Sequence, residues 1–398
     1  MTSPVSKLAK TLRSIFCLNS STHHNNNTSP TNTSSSSSLP TTTTTTIKPV
    51  SERKGGKMSL PKTYKEAIFP EQGKDLELRD TELKLPGKKE VLVKVEACGV
   101  CFSDMFAQHN VMGGGFPICP GHEIIGRVVA VGDHVDTWKV GDRIGSGWHG
   151  GHDGTCKACK KGLNQMCDNQ VINGETKAGG YAEYVLLRTE AGVPVPENVD
   201  AAKYAPILCA GMTVFNSIRN ANVGVGETVA VQGLGGLGHL AIQYANKFGY
   251  RVVAISRGGA DKEKQARELG AHEFIDTNTT SDPGAALKAL GGAKLVVTTA
   301  PTADLIPSLI TGLGPMGKLL ILSVPGDITI STVAMLKYGV SVQSWPCGHA
   351  VDSEDAIAFT QLQDIDCRIE KFPLAKADEA FKRMMSGQAR FRVVITMD

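Results

Sequence analysis

Three cysteines, Cys156, Cys159 and Cys167, fall within twelve residues of one glycine-rich loop, GWHGGHDGTCKACKKGLNQMC (147–167). Thiolates grouped this way suit a four-coordinate zinc, which needs one ligand more, and Asp153, His152 and His149 are the candidates inside the loop. A second set of metal-ligating side chains is scattered: Cys101 in CGVCFSDMFAQHN, His122 in PGHE and Cys209 in PILCAGMTVF. Two thiolates and an imidazole suit a catalytic zinc, which commonly keeps its fourth position open for substrate. Taken singly each has a plainer explanation, because a lone cysteine is usually a small buried hydrophobe. Spacing alone does not join the three.

The third feature is Gly233-Leu-Gly235-Gly236-Leu-Gly238, which satisfies G-x-G-x-x-G. It follows the apolar run ETVAVQG, opens an amphipathic segment, and is followed by a second apolar run, which is the context that gives the pattern meaning. Gly233 permits the tight turn, Gly235 lets the backbone approach a pyrophosphate, and Gly238 allows close helix–strand packing. Gly236 completes the turn, and the free N–H groups of the helix that follows face the phosphates. The second apolar run ends in Ser256 and Arg257, where a site for NAD(H) wants a carboxylate on the ribose 2′-OH. A hydroxyl beside a guanidinium better meets a 2′-phosphate, so the sequence favours NADP(H) over NAD(H).

Two kinds of element must position these residues. From residue 64 to about 200 the chain reads as short strands and glycine turns, as in EVLVKVEACG with Val91, Val93 and Val95 alternating. After Ala205 strands alternate with helices: ETVAVQG, then a helix carrying Leu237, Leu240, Ala241, Tyr244 and Phe248 and closed by Gly249, then YRVVAIS, HEFIDT, AKLVVTTA and GKLLILSV. That alternation implies a parallel sheet and an α/β protein. A chain of 398 residues is also longer than one core usually serves, so two domains are expected.

The formal charge of +3 is misleading, because residues 1–57 carry seven Lys/Arg and one acid. The remainder holds 35 basic and 38 acidic residues, a net of −3, which gives no reason to expect nucleic-acid binding. No apolar run approaches the roughly 20 residues of a membrane-spanning helix. Ten cysteines with no secretory signal in view favour reduced thiols and metal ligands over disulfides. Residues 19–46 are 23 parts in 28 Ser, Thr or Asn, too polar to offset chain entropy, and read as a disordered tail. SKLAKTLRSIF before it faintly resembles a mitochondrial presequence, while KMSLPKTYKEA reads equally as a natural start at Met58. The expected place of action is the cytoplasm, with mitochondria the alternative.

Taken in order from about Tyr64 to Asp398, Cys101, His122, the three-cysteine loop, Cys209 and the GLGGLG turn closely resemble the zinc-dependent alcohol dehydrogenases of the medium-chain dehydrogenase/reductase family. The resemblance implies a Rossmann doubly wound parallel-sheet domain over 206–344. It also implies an irregular, chaperonin-10-like β catalytic domain over 58–205, completed by 345–398. It makes Cys101, His122 and Cys209 the catalytic zinc ligands and Glu123 the nearby acid able to approach the metal. Asp104 becomes the carboxylate that orients His122, Ser103 the hydroxyl that takes the alcohol's proton, Thr213 a neighbour of the nicotinamide, and Trp148 a wall of the substrate pocket. The family's structural zinc is held by C-x2-C-x2-C-x7-C, which lays Asp153, Cys156, Cys159 and Cys167 on the four positions. An aspartate therefore stands where the first cysteine belongs, giving a Cys3Asp site with a somewhat harder ligand.

The chemistry implied is hydride transfer between NADP(H), or NAD(H), and a primary alcohol, aldehyde or related carbonyl, with zinc as Lewis acid. A small-molecule substrate and a homo-oligomer, dimer or tetramer, come with it. Two departures stand out. Phe102 occupies a position where many relatives carry His or Arg, and Phe106 that of a relay histidine. A phenyl ring neither pairs a phosphate nor passes a proton, so the proton ends at cofactor ribose or water, or at His109. The rival readings are a zinc-free quinone or enoyl reductase of the same fold, against which the three ligands argue, and a zinc module without catalysis, against which the glycine turn argues.

Overall fold

The computed structural model describes residues 60–397. The tail, the presequence-like segment and Met58 lie outside the described residues.

The alternating half of the chain folds as its apolar runs require. Strands β1 (Thr228–Gln232), β2 (Arg251–Ser256), β3 (Glu273–Asp276), β4 (Ala293–Thr298), β5 (Leu313–Ile321) and β6 (Ser341–Ser344) form one sheet in the order 3-2-1-4-5-6. Every pairing is parallel. Runs such as Val229-Ala230-Val231 are continuous because the sheet is covered on both faces. Val229 and Val231 pack with Leu240, Ala241 and Tyr244 of helix Gly238–Lys247, whereas Ala230 packs with Leu287 and Leu309 on the other side. Gly249 ends that helix at φ +84°, a conformation that favours glycine. Strand order reverses beside β1, so the crevice for a ligand opens at its carboxyl end, where Gly233 begins the turn. This is a Rossmann doubly wound sheet.

The other half is an irregular, mainly antiparallel sheet. Strand Glu90–Val100 lies at its centre between Arg392–Thr396 and Glu123–Val131, with Tyr184–Arg188 also paired to it. Its register with Glu123–Val131 shifts twice, between Leu92 and Val93 and between Val95 and Ala97. The last strand comes from the chain's end and crosses back over from the parallel sheet, Val394 pairing with Gly99. That return brings residues near 392 beside those near 123. Val91, Val93 and Val95 sit in this half's own core with Ile124, Tyr181 and Val393. Among the described residues no helix is long and apolar enough to cross a membrane.

Candidate active site

Cys101 directly follows strand Glu90–Val100, and His122 directly precedes Glu123–Val131. Antiparallel pairing of Gly99 with Glu123 therefore sets the two ligands side by side. A side chain at 99 would strike Glu123 Oε2 at 1.8 Å, so only glycine leaves room for that carboxylate. Cys209 arrives from the other direction, at the N-terminus of helix Ala210–Arg219. The ligand atoms of Cys101, His122, Glu123 and Cys209 all lie within 4.8 Å of one another, and all four residues are buried. Cys101 Sγ is 4.0 Å from Cys209 Sγ, and two thiolates ~2.3 Å from one tetrahedral ion stand roughly 3.8 Å apart. His122 Nε2 and Glu123 Oε2 are fully buried without a hydrogen-bond partner. Orphaned donors and acceptors of this kind are costly unless something binds them, so the set fits a zinc ion. The Cys101 thiol is held well below its usual range, first by the hydrogen bond from the Cys209 thiol, and Cys209 is raised in turn.

Around this cluster the protein has little slack. His122 Nδ1 lies 3.0 Å from Asp104 Oδ1, a close ion-pair contact more than an aligned hydrogen bond. Asp104 Oδ2 accepts the Cys101 backbone N–H at 2.8 Å and the Tyr181 hydroxyl at 2.7 Å. One carboxylate thus fixes two ligands. The Ser103 hydroxyl is 3.1 Å from Cys101 Sγ. Burial pushes the Glu123 carboxyl up to about 7, against the pull of Arg392, whose Nη2 donates to Glu123 Oε1 at 2.5 Å. Tyr181 and Arg392 had no local signal in the sequence beyond an arginine interrupting the apolar strand FRVVI.

The Trp148 ring meets His122 edge-on with centroids 4.9 Å apart, and Phe106 meets Trp148 at 6.3 Å. Aromatic surface therefore walls the cluster. Thr213 Oγ1 donates to the thiol of Cys347 at 3.1 Å, and that thiol also contacts Cys209. Cys347, on the crossover from β6, was not singled out in the sequence. Toward the sheet, Gly235 faces open space, while a side chain at Gly238 would strike Gly233 O at 1.8 Å and one at Gly236 would meet Arg392 Nη1 at 2.9 Å. Arg392 therefore lies between the metal-ligand cluster and the glycine turn. Ser256 ends β2 and Arg257 follows it, exposed. Lys262, lost among the charges of ADKEKQ, donates from Nζ to Leu234 O at 3.3 Å, inside the glycine turn.

The loop cysteines form a second cluster with Asp153, again within 4.8 Å of one another. Cys156 Sγ and Cys167 Sγ are 3.9 Å apart. Asp153 Oδ1 accepts the backbone N–H of Thr155 at 2.7 Å and of Cys156 at 2.9 Å, and Oδ2 accepts Asn169 Nδ2 at 2.7 Å. These bonds hold the carboxyl well below its usual range, so it is ionised and aimed at the thiols. His149 and His152, the alternatives for the fourth position, turn toward each other instead, 3.1 Å apart.

Residues 87–197 match the alcohol dehydrogenase GroES-like domain, and 236–361 match the zinc-binding dehydrogenase domain. The alcohol dehydrogenase notN of Aspergillus sp. (strain MF297-2) is 63% identical over 86% of this chain and 100% of its own length. Among solved structures, acetophenone reductase from Geotrichum candidum in complex with NAD superposes with TM-score 0.75 at 26% identity, over 85% of this chain and 98% of that one. CAD from Helicobacter pylori with NADP(H) does so with TM-score 0.74 at 25% identity, over 84% and 98%. With its ligand cluster, glycine turn and two-domain fold, the chain belongs to the zinc-dependent alcohol dehydrogenases of the medium-chain dehydrogenase/reductase family.

Proposed function

We propose that this alcohol dehydrogenase interconverts a primary alcohol and its aldehyde, or a related carbonyl, with NADP(H) in preference to NAD(H), and that it holds two zinc ions. The observation that carries the reading is the buried Cys101–His122–Cys209 cluster with its unpartnered His122 Nε2, standing between an aromatic wall and the glycine turn. Bound zinc supplies Lewis-acid polarisation of the substrate oxygen, and the nicotinamide supplies or accepts the hydride. Asp104 holds His122 in the orientation and tautomer a ligand needs. Ser103 exchanges the proton of the substrate hydroxyl. Phe106 cannot pass that proton on, so it leaves through cofactor ribose or water. Trp148 and Phe106 exclude water from the reacting carbon, and Thr213 contacts the nicotinamide.

Support for NADP(H) comes from Arg257 just past the end of β2 and from Lys262, whose Nζ reaches the glycine turn, two cations of the kind a 2′-phosphate requires. Charge-assisted hydrogen bonds are worth about 1.5–3 kcal/mol. Arg257→Ala is therefore expected to lower kcat/KM for NADPH by roughly ten- to a hundredfold while leaving that for NADH within about twofold. Steady-state kinetics with both cofactors over a panel of aldehydes measures this, and equal losses for the two cofactors would remove Arg257 from phosphate recognition.

Support for the second zinc comes from the aspartate and three cysteines gathered at ligand distance. Asp153→Ala is expected to reduce zinc from two ions to one per chain and to lower the unfolding temperature. One zinc in the wild type, unchanged by Cys159→Ala, would show instead that the lobe carries no metal. A homo-oligomer, dimer or tetramer, is supported by an exposed apolar stretch, Val333 and Leu336, on the helix beside edge strand β6. Light scattering distinguishes it from a monomer. The cytoplasm as place of action, with mitochondria as alternative, is supported by the nine cysteines of the described residues all being free. Fractionation of cells expressing the full chain decides between them.

A further inference from the structure

One buried histidine has no part in the chemistry above. His239 supplies the first side chain after the glycine turn and is fully buried on helix Gly238–Lys247. Its Nδ1 lies 3.2 Å from Gly235 O, which also accepts the His239 backbone N–H at 3.0 Å. A carbonyl oxygen only accepts, so the ring carries its proton on Nδ1. Burial pushes the imidazole down to about 3, so the ring is neutral, and Nε2 has no hydrogen-bond partner. The ring stacks on Phe391, with centroids 4.8 Å apart and planes at 19°.

Phe391 belongs to the other half of the molecule. It directly precedes strand Arg392–Thr396, which pairs into the irregular sheet. Lys262 packs on the same ring, with Nζ 5.2 Å from its centroid, and donates to Leu234 O at 3.3 Å. Two successive carbonyls of the glycine turn, at 234 and 235, are therefore each held by a side chain that rests on Phe391. The next residue, Arg392, stands against Gly236, where an added side chain would meet its Nη1 at 2.9 Å.

A planar trans peptide points its C=O and its N–H in opposite directions. With the carbonyls of Leu234 and Gly235 drawn to Lys262 and His239, the N–H groups of Gly235 and Gly236 turn away from those partners, beside the open space that Gly235 faces. Backbone N–H groups in such a turn are the donors a pyrophosphate needs. We propose that His239 is a positioning residue for the cofactor, a role that rests on the dehydrogenase reading above. Stacked on Phe391, it holds the glycine turn in its pyrophosphate-binding shape and makes that shape depend on the strand returning from the chain's end. The plainer alternative is that the ring only fills space between helix and strand, which leucine would do equally well.

The test titrates full-chain protein with NADPH and with NADH by nucleotide fluorescence, after unfolding midpoints and zinc per chain have verified that each variant is folded. His239→Leu keeps the bulk and loses the donor; it should weaken both cofactors by about five- to tenfold, the usual worth of one hydrogen bond. The losses should be equal because both cofactors carry the pyrophosphate, in contrast to Arg257→Ala. His239→Asn, whose amide can donate to Gly235 O, should bind both cofactors within about twofold of wild type. Phe391→Leu removes no donor yet should also weaken both, and combining it with His239→Leu should cost less than the sum of the two. Equal affinities for His239→Leu and His239→Asn overturn the proposal, as does a loss confined to NADPH or strict additivity with Phe391→Leu. Should His239→Leu fail to fold, wild-type affinity in Phe391→Leu overturns it instead. A wild type that binds neither cofactor overturns the dehydrogenase reading as well, so the two failures are distinguishable.

Discussion

Arg392→Met is expected to destabilise the protein by about 3–5 kcal/mol, the usual cost of removing one partner from a buried ion pair. The side chains of Glu123 and Arg392 are 0% and 5% exposed, so no solvent replaces the lost guanidinium. Glu123 then sits beside Cys101 and Cys209 with its charge uncompensated, and it must take up a proton or drag water into the site. The cost belongs to the broken pair more than to the arginine itself. A double variant, Glu123→Gln with Arg392→Met, should recover much of the loss, because it removes the carboxylate together with its partner. Urea unfolding of the wild type, the single and the double variant, at matched zinc content, measures this. A single variant within about 1 kcal/mol of wild type would show that solvent reaches Glu123 and that the pair is not structural.

Cys209→Ala is expected to cost at least about 4 kcal/mol of transition-state stabilisation, roughly a thousandfold in kcat/KM, because Lewis-acid assistance contributes several kcal/mol. The variant should lose one zinc per chain and keep the other, since the lobe cluster shares no residue with the catalytic one. Cofactor affinity should change little, because Cys209 lies away from the glycine turn in sequence and on a different element. Tenfold or smaller loss, with the metal gone, would mean that the chemistry runs without zinc and would return the zinc-free reductase to favour.

The glycine turn was legible because all its parts are local: strand, turn and helix follow one another, and Gly233, Gly235 and Gly238 each have a place to fill. The three-cysteine cluster was local too, sharing one short loop, but Asp153 as its fourth member came only from the resemblance. Between the three alternatives in that loop, sequence alone had nothing to choose. In the structure the N–H groups of Thr155 and Cys156 hold Asp153 beside the thiols while the two histidines close on each other, which supports the aspartate. Cys101, His122 and Cys209 could be joined only by resemblance, because what unites them is the antiparallel register of Gly99 with Glu123 and the start of a distant helix. Longer contacts left little trace beyond the arginine that interrupts FRVVI. Arg392 is 269 residues from Glu123, and Tyr181 is 77 from Asp104. Cys347 reaches the site through the crossover that follows β6, a segment whose sequence, SWPCGH, carries no pattern of its own. Local chemistry is written in spacing, whereas the supports of a site are written in topology.

The measurement that bears most directly on the central claim is NADPH oxidation with a panel of aldehydes by protein stripped of its metal and then reconstituted with zinc, counting ions per chain at each stage. The metal-free protein should turn over no carbonyl while still binding NADPH, and activity should return as the Cys101–His122–Cys209 site refills. Full turnover by metal-free protein, or no turnover of any carbonyl with zinc restored, would contradict the account.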